Sequence, residues 1–456
     1  MDGARQYEYF KTMDQRSTIF ALSSAPGRAG VAVVRVSGST AGSVIDALAS
    51  PRPLERTAAL RRIRHPESGE VLDQALVLWF AAPRTETGED TAELHLHGGP
   101  AIVRGVLAAL ATLPGCRLAE PGEFARRAFE NGKIDLAEAE GLADLIDAET
   151  EAQRRQAMRQ MGGALSALYE GWRKEVIEAS ALVEAAIDFS DEADVAADAF
   201  ERARAMVTKL RGAIDDHLDD GHRGEILRDG FQVVLAGAPN VGKSSLLNVM
   251  ARRDAAIVSE EAGTTRDIIE VRFDLAGLPV VVSDTAGVHE AKGQVEREGI
   301  RRTLARAQDA DLVLWLVDAT SPEDALPAEF AALGDRLLRV TNKIDLVEGD
   351  PKTADGRLAI SVKTGAGLDD LSRTLAKIAS ERIGVSESPA ITRARYREHL
   401  GRCLSALDAF LASEPGAVEL RAEDLRQAAT ALGRITGRVD VEDVLDQVFG
   451  RFCIGK

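Results

Sequence analysis

The chain has 456 residues, 45% hydrophobic and 28% charged, enough for roughly three domains with buried cores, which excludes a wholly disordered or collagen-like protein. Lys plus Arg number 56 against 73 Asp plus Glu, a net charge of −17, so a protein that coats nucleic-acid phosphates is not expected. A nucleic-acid substrate would have to be met through a local basic patch or a partner subunit. The only cysteines, Cys116, Cys403 and Cys453, show neither zinc spacing nor a disulfide framework, and no apolar run reaches the ~18 residues of a membrane helix. A cytoplasmic protein without a membrane span is therefore expected. Residues 1–17 lack the apolar segment of a secretory signal; the first dozen read as a polar, dispensable extension, with Met13 an alternative start.

In chain order, residues 18–130 alternate short apolar runs with Gly and Pro. Val31–Val36 and Ala75–Phe80 read as strands and Pro100–Leu113 as a helix, giving a mixed α/β module over 1–130. From Leu136 the texture becomes Ala-, Glu-, Leu- and Arg-rich. Met158, Met161, Leu165, Leu168, Trp172 and Val176 form one apolar stripe on a long helix, read as core packing, not as a cofactor box. An acidic break at Asp188–Asp198 precedes another helix. Residues 228–382 return to α/β texture, with strands at Phe231–Ala236, Val280–Val282, Leu312–Val317 and Leu337–Thr341, which predicts a parallel, doubly wound sheet. After Pro389 helical stripes resume at Leu400, Leu404, Leu407 and Leu411, then at Val441, Val444, Leu445 and Val448. The economical arrangement is a helical domain, 131–227 and 383–456, into which an α/β domain of residues 228–382 is inserted.

Gly237-Ala-Pro-Asn-Val-Gly-Lys-Ser244 fits the phosphate-binding pattern G-x-x-x-x-G-K-[ST] between a predicted strand and helix. Backbone N–H groups of Asn240, Val241 and Gly242 would curl around phosphates, Lys243 would reach the β- and γ-phosphates, and Ser244, followed by Ser245, would bind Mg²⁺. Asp284-Thr285-Ala286-Gly287 follows the next strand; its carboxylate suits a water-mediated Mg²⁺ contact and the glycine N–H a γ-phosphate. In Asn342-Lys343-Ile344-Asp345 the last carboxylate can accept from guanine N1 and the 2-amino group, a donor pair adenine lacks. Ser361-Val362-Lys363 falls where a loop caps the base. Together these motifs predict GTP binding. Thr265, within Gly263-Thr-Thr-Arg-Asp267, is the expected switch threonine on Mg²⁺. Where many GTPases orient water with Gln there is Val288, and Arg266 is a conceivable internal arginine finger. Asn240 can instead hold a monovalent cation beside the phosphates, and Glu296 can orient water.

With these residues in hand, the chain resembles the bacterial MnmE (TrmE) family over Thr18–Lys456. The resemblance rests on Phe452-Cys-Ile-Gly-Lys456, Gly433-Arg-Ile-Thr-Gly-Arg-Val439, Glu442-Asp-Val-Leu445, Pro26-Gly-Arg-Ala-Gly30, Thr87-Gly-Glu-Asp90 through His97-Gly-Gly99, and Pro121-Gly-Glu-Phe124 through Asn131-Gly-Lys-Ile-Asp135. Three strings depart from the family's PPGRGG, HCHGG and SAK: Ala25-Pro-Gly-Arg-Ala-Gly30, His95-Leu-His-Gly-Gly99 and Ser361-Val-Lys363. The resemblance implies an N-terminal folate-binding-like α/β domain that dimerises, a helical domain, and a Ras-like G domain inserted into it. It implies a homodimer that works with the flavin-dependent MnmG (GidA), in a heterotetramer or larger complex. Together they place an aminomethyl or carboxymethylaminomethyl group at C5 of the tRNA wobble uridine, with 5-formyl- or methylene-tetrahydrofolate as one-carbon source. GTP hydrolysis, K⁺-dependent, switches the complex. Carried over position by position, Asn240, Ser259, Glu261 and Thr264 bind K⁺, Ser244 and Thr265 bind Mg²⁺, and Ser259 and Thr264 also lie against GTP. Glu296 is catalytic, and Arg35, Glu93, Lys133 and Lys456 contact folate. Cys453 is expected to be functional as nucleophile, acid or covalent handle. Two other readings stay open at this point: a GTP-switched ribosome-assembly factor, and a scaffold whose only catalysis is GTP hydrolysis.

Overall fold

The structure is a computed structural model that describes residues 17–188, 193–253, 255–257, 269–284, 304–321, 326–347, 358–384, 389–413, 418–439 and 442–456. The chain divides into two compact units, residues 1–143 with 436–456, and residues 144–435.

The first unit is built on β1 (Thr18–Leu22), β2 (Ala29–Ser37), β3 (Ala59–Arg64), β4 (Val71–Phe80), β5 (Thr91–Gly98) and β6 (Cys116–Leu118), in the order β3-β4-β5-β2-β1-β6. Every neighbour pair is antiparallel except β1 with β6. Strand alternation sorts the two faces. Val34 and Val36 of β2 and Ala92, Leu94 and Leu96 of β5 point into one core, which the Ala41–Ala49 and Pro100–Ala111 helices close with Ile45, Leu48, Val106 and Leu110. The residues between them, Arg35, Glu93 and His95 among them, face the other way. There the Glu123–Glu130 helix seats Phe124 against Ile19 and Ala21.

The carboxyl end is part of this unit. Phe449 and Phe452 pack with Ala125 and Leu136. Gly122 has a left-handed φ of 68°, and a Cβ there would lie 2.3 Å from the Phe449 carbonyl oxygen, so only glycine admits the approach of the Glu442–Phe449 helix. The sequence pattern grouped 383–456 as one helical segment; in the structure residues 436–456 sit with the N-terminal module instead. The pattern of small apolar repeats sees the helix but not which partner buries it.

In the second unit, the stripe read as one long helix is two helices, Glu151–Met161 and Ala164–Asp188. Gly162 and Gly163 separate them, the latter at φ 82°, and Met158 is exposed. Thr150 and Gln153 form a reciprocal capping box at the start of the first. The Ala193–Leu218 helix begins inside the acidic run that the sequence read as a break. It packs against Ala394–Ala412, where Arg211 Nε donates to Asp408 at 3.0 Å and the Phe200 and Phe410 rings lie 5.8 Å apart. Buried Gln160 donates to the Tyr396 hydroxyl at 3.3 Å and accepts from Thr392 at 3.0 Å. Helices on both sides of the second sheet in sequence thus share one helical body, and the sheet is inserted into it.

That sheet has β7 (Phe231–Gly237), β8 (Ala255–Ile257), β9 (Ile269–Leu275), β10 (Leu278–Asp284), β11 (Leu312–Asp318), β12 (Leu337–Asn342) and β13 (Leu358–Ala359), in the order β13-β12-β11-β7-β10-β9-β8. The run from β13 to β10 is parallel, as expected; β9 and β8 add an antiparallel edge. The β9–β10 hairpin turns on Ala276 and Gly277, both at positive φ (56° and 84°), the geometry of a two-residue mirror-image turn. Ala276 lacks the Asn or Asp side chain that signals such a turn, so the sequence gives no warning of it. The Lys243–Arg253 and Leu368–Ile383 helices bury Leu246, Leu247, Leu371 and Leu375 against this sheet.

Candidate functional site

The loop after β7 has the backbone a phosphate cradle needs. Gly237 (φ 140°) passes so close to β11 that a Cβ would meet the Leu316 carbonyl oxygen at 2.4 Å, while Asn240 (φ 60°) and Gly242 (φ 104°) complete the curl. The Lys243 ammonium donates to the Gly237 and Ala238 carbonyls, each at 2.9 Å, and so lies across the loop. Ser244 Oγ donates to a carboxylate oxygen of the buried Asp284 at the end of β10. A hydroxyl and a carboxylate held together at a helix N-terminus are hard oxygen donors of the kind Mg²⁺ takes. Val241 is buried and Asn240 and Ser245 are exposed.

Asn342, at the end of β12, ties this loop to the next. Its amide donates to the Val241 carbonyl at 2.8 Å and accepts from the Val362 N–H at 3.1 Å. Lys343 follows at φ 65° and donates to Asp318 at 2.6 Å. Burial would raise the Asp318 carboxyl, but the Lys343 ammonium and the Thr320 hydrogen bonds outweigh it and hold it below its usual range. Asp345 is exposed, and the buried Ser361 hydroxyl donates to it at 2.6 Å. Lys363 is exposed on the same turn. The structure thus brings the Gly237–Ser244, Asp284, Asn342–Asp345 and Ser361–Lys363 motifs to one end of the sheet. Asp318, which fixes Lys343, escaped the motif search; its signal was a charged residue closing the apolar run of β11. Ser259, Glu261, Thr264, Thr265, Arg266, Thr285, Ala286, Gly287, Val288 and Glu296 lie outside the described residues.

In the N-terminal unit Arg35 and Glu93 are directly opposite across β2 and β5. Arg35 donates to Glu93 from Nε at 3.2 Å and from Nη2 at 3.1 Å, and the other Glu93 oxygen meets His95 Nε2 at 3.2 Å. A basic and an acidic group in strand register form a surface able to read both an anionic group and an N–H edge. Lys133 is exposed, and its Cε packs over Gly88, where a Cβ would approach it to 3.2 Å. Asn131 Nδ2 donates to the Thr87 carbonyl at 2.7 Å, joining two of the family-like strings. Neither Lys133 nor Lys456 bonds to the Arg35–Glu93 pair.

The last residues close on the same sheet. Ser23 Oγ donates to the Gly455 carbonyl at 2.9 Å, and Ile454 bridges to Pro121. Gly455 has φ 99°, and a Cβ there would stand 2.2 Å from the Leu22 carbonyl oxygen. Ala21 of β1 is paired with Arg35, so the tail is anchored on the strand next to the Arg35–Glu93 pair. Cys453 is exposed. Burial, in contrast, pushes the Cys403 thiol up to about 12 and raises that of Cys116. Cys453 is thus the accessible thiol.

A largely parallel sheet with a Gly-rich loop after its central strand, a lysine across that loop, a serine on a buried aspartate and an Asn-Lys-x-Asp base loop define a P-loop GTPase, a GTP hydrolase. Residues 18–133 match the family described as GTP-binding protein TrmE N-terminus, and residues 136–453 match the MnmE helical domain. The tRNA modification GTPase MnmE of Methylorubrum populi is 54% identical over 444 residues, 97% of this chain and 98% of the relative. Those of Maricaulis maris and Parvibaculum lavamentivorans are 52% and 53% identical, each over 96% of this chain and 100% of the relative. The chain belongs to the MnmE (TrmE) family. Among solved structures, the FeoB G domain of Methanococcus jannaschii is 25% identical and covers 33% of this chain and 98% of its own, with a TM-score of 0.26. No described helix is long and apolar enough to cross a membrane.

Proposed function

We propose that this GTPase modifies tRNA: as a cytoplasmic homodimer joined to a flavin-dependent MnmG, it helps build the aminomethyl or carboxymethylaminomethyl group at C5 of the wobble uridine from a tetrahydrofolate one-carbon unit. The observation that carries the reading is the anchoring of the Cys453-Ile-Gly-Lys456 tail on the strand beside Arg35 and Glu93, through Ser23 and Gly455. It favours modification chemistry over ribosome assembly, because it gathers a free thiol, a terminal lysine and an Arg–Glu pair on one module that GTP hydrolysis does not need. In this reading residues 1–130 form the folate-binding and dimerising domain, 131–227 and 383–456 the helical domain, whose last residues, 436–456, pack on the N-terminal module, and 228–382 the G domain. Arg35 and Lys456 take carboxylates of the folate, Lys133 adds a third positive charge, and Glu93 takes the pterin edge.

In the G domain Asn240 to Ser245 cradle the phosphates, with Ser259, Thr264 and the Asp284–Gly287 segment beside them. Ser244 and Thr265 hold Mg²⁺, which supplies positive charge to the phosphates when bound. Asn342, Lys343 and Asp345 hold guanine, and Ser361, Val362 and Lys363 cap it. Asn240, Ser259, Glu261 and Thr264 hold K⁺, and Glu296 orients the attacking water. Asn240, exposed and at φ 60° in this loop, carries the amide oxygen that would serve as the cation ligand.

Two experiments test these roles. GTP turnover is expected to be several-fold faster in KCl than in NaCl at equal ionic strength; equal rates would remove the cation role of Asn240. Nucleoside mass spectrometry of total tRNA from cells lacking the gene is expected to show loss of the C5-modified wobble uridine. Complementation by the wild type should restore it, and complementation by Cys453→Ser should not. An unchanged profile in the deletion would return the ribosome-assembly reading.

A further inference from the structure

Arg35 carries a second carboxylate that is not part of the strand pairing. Glu86, on the loop between β4 and β5, brings Oε2 to 2.6 Å from Arg35 Nη1. The two acidic partners are held very differently. Glu93 is fixed in register opposite Arg35, its side chain 20% exposed, and accepts aligned hydrogen bonds from Nε and Nη2. The Glu86 side chain is 49% exposed, and its ion pair lacks the alignment of a hydrogen bond, so the buried Nη1 has charge compensation but no directed acceptor. Other residues of that loop are firmly tied. Thr87 shares a hydrogen bond with Ser37 at 2.7 Å, and Glu89 accepts from Ser37 at 2.8 Å and from Arg127 at 3.0 Å. Glu86 is therefore a loosely held charge on a fixed loop.

We propose that Glu86 is an internal counter-ion which a ligand carboxylate displaces from Arg35, so that Glu86 sets how tightly, and how selectively, the site takes a carboxylate-bearing ligand. The inference rests on the folate reading of Arg35 and Glu93 and adds the residue that competes within it. The physical argument is a difference between two states. Without ligand, Arg35 stands between two carboxylates and the group carries net negative charge, which repels an anion at close range. A ligand carboxylate reaching Nη1 replaces a misaligned, solvent-exposed ion pair with an aligned charge-assisted hydrogen bond, while Glu86 turns back into water at little cost because exposed ion pairs are weak. Glu93 remains in place, and its pairing keeps the guanidinium oriented. The contact of the guanidinium with the Phe124 ring, 5.8 Å from carbon to centroid, also holds that orientation.

The test is calorimetric titration of the full-length protein at low salt with 5-formyltetrahydrofolate and with 5-formyl-6-methyltetrahydropterin, which keeps the pterin and carries no carboxylate. Glu86→Gln removes the competing charge and keeps the shape, so it is expected to bind the folate roughly threefold or more tighter than the wild type. The pterin should bind the two proteins alike. Glu86→Ala should behave as Glu86→Gln, and serves where the amide perturbs folding, as judged by melting temperature. Unchanged or weaker folate binding by both variants overturns the proposal, as does equal tightening for the two ligands. If the wild type binds the folate and Glu93→Gln abolishes that binding while Glu86→Gln leaves it unaltered, the folate reading stands and the competition does not. Binding of the folate to neither wild type nor variants overturns both.

Discussion

Asp345→Asn is expected to weaken GTP binding by about two to three orders of magnitude and to confer binding of xanthosine triphosphate in its place. The argument starts from Ser361, whose buried hydroxyl donates to Asp345 Oδ1 at 2.6 Å. A hydroxyl donor selects the oxygen of an amide, so in the variant the side-chain oxygen stays on Ser361 and the amide N–H groups turn to the base. Guanine presents N1–H and the 2-amino group there, and donor would face donor; a charge-assisted pair would also be lost. Xanthine carries an oxygen at position 2, which the amide can satisfy. Sites built around a specific hydrogen-bond pattern reject the mismatched partner by such factors because buried polar groups are left unpaired. The loop itself is expected to survive. Asn342 pins it independently, with bonds to Val241 and Val362, and Thr364 N–H still finds Ser361 Oγ at 3.1 Å. Titration with fluorescent guanosine and xanthosine triphosphates reads the result. Equal loss for both nucleotides would make Asp345 a support of the loop and not a reader of the base.

The nucleotide half of the site was legible because its chemistry is local. A cradle of consecutive residues, Gly237 to Ser244, follows an apolar run that a parallel, two-face-buried strand must have. The same holds for Asn342 after β12. Features set by distant pairs were not legible. The break at Gly162 and Gly163 lies inside an unbroken apolar stripe, and a helix-period pattern continues across it. Strand β9 is turned back onto β10 by Ala276, whose side chain gives no sign of a positive φ. The folate-like residues were singled out by resemblance alone. That Arg35 and Glu93 face each other follows from β2–β5 register, and register is a property of two strands 58 residues apart. Glu86 drew no notice in the sequence because one more acidic residue in an acidic chain carries no pattern.

The docking of the tail is the longest-range of these features, since Ser23 and Gly455 are 432 residues apart. It leads to the second large effect. Gly455→Ala is expected to abolish tRNA modification while leaving GTP turnover intact. At φ 99° an alanine is strained by roughly 1–3 kcal/mol even in open space. Here its Cβ would also stand 2.2 Å from the Leu22 carbonyl oxygen, a backbone atom of a strand paired on both sides, which cannot move aside as a flexible side chain would. Relief comes by releasing the tail, which forfeits the Ser23–Gly455 hydrogen bond and frees Cys453 and Lys456 from the sheet that carries Arg35. A loss of about 1.4 kcal/mol lowers the ratio of docked to released tail tenfold. Ser23→Ala, which removes the hydrogen bond and no more, should cost about 1 kcal/mol and lower modification only partly. Phe452, buried against Phe449, keeps the preceding helix in place in both variants. The graded order, wild type above Ser23→Ala above Gly455→Ala in C5-modified uridine with GTP turnover constant across all of them, is what anchoring predicts. Full modification by Gly455→Ala would mean that Cys453 acts, if it acts, from a tail that has left the sheet.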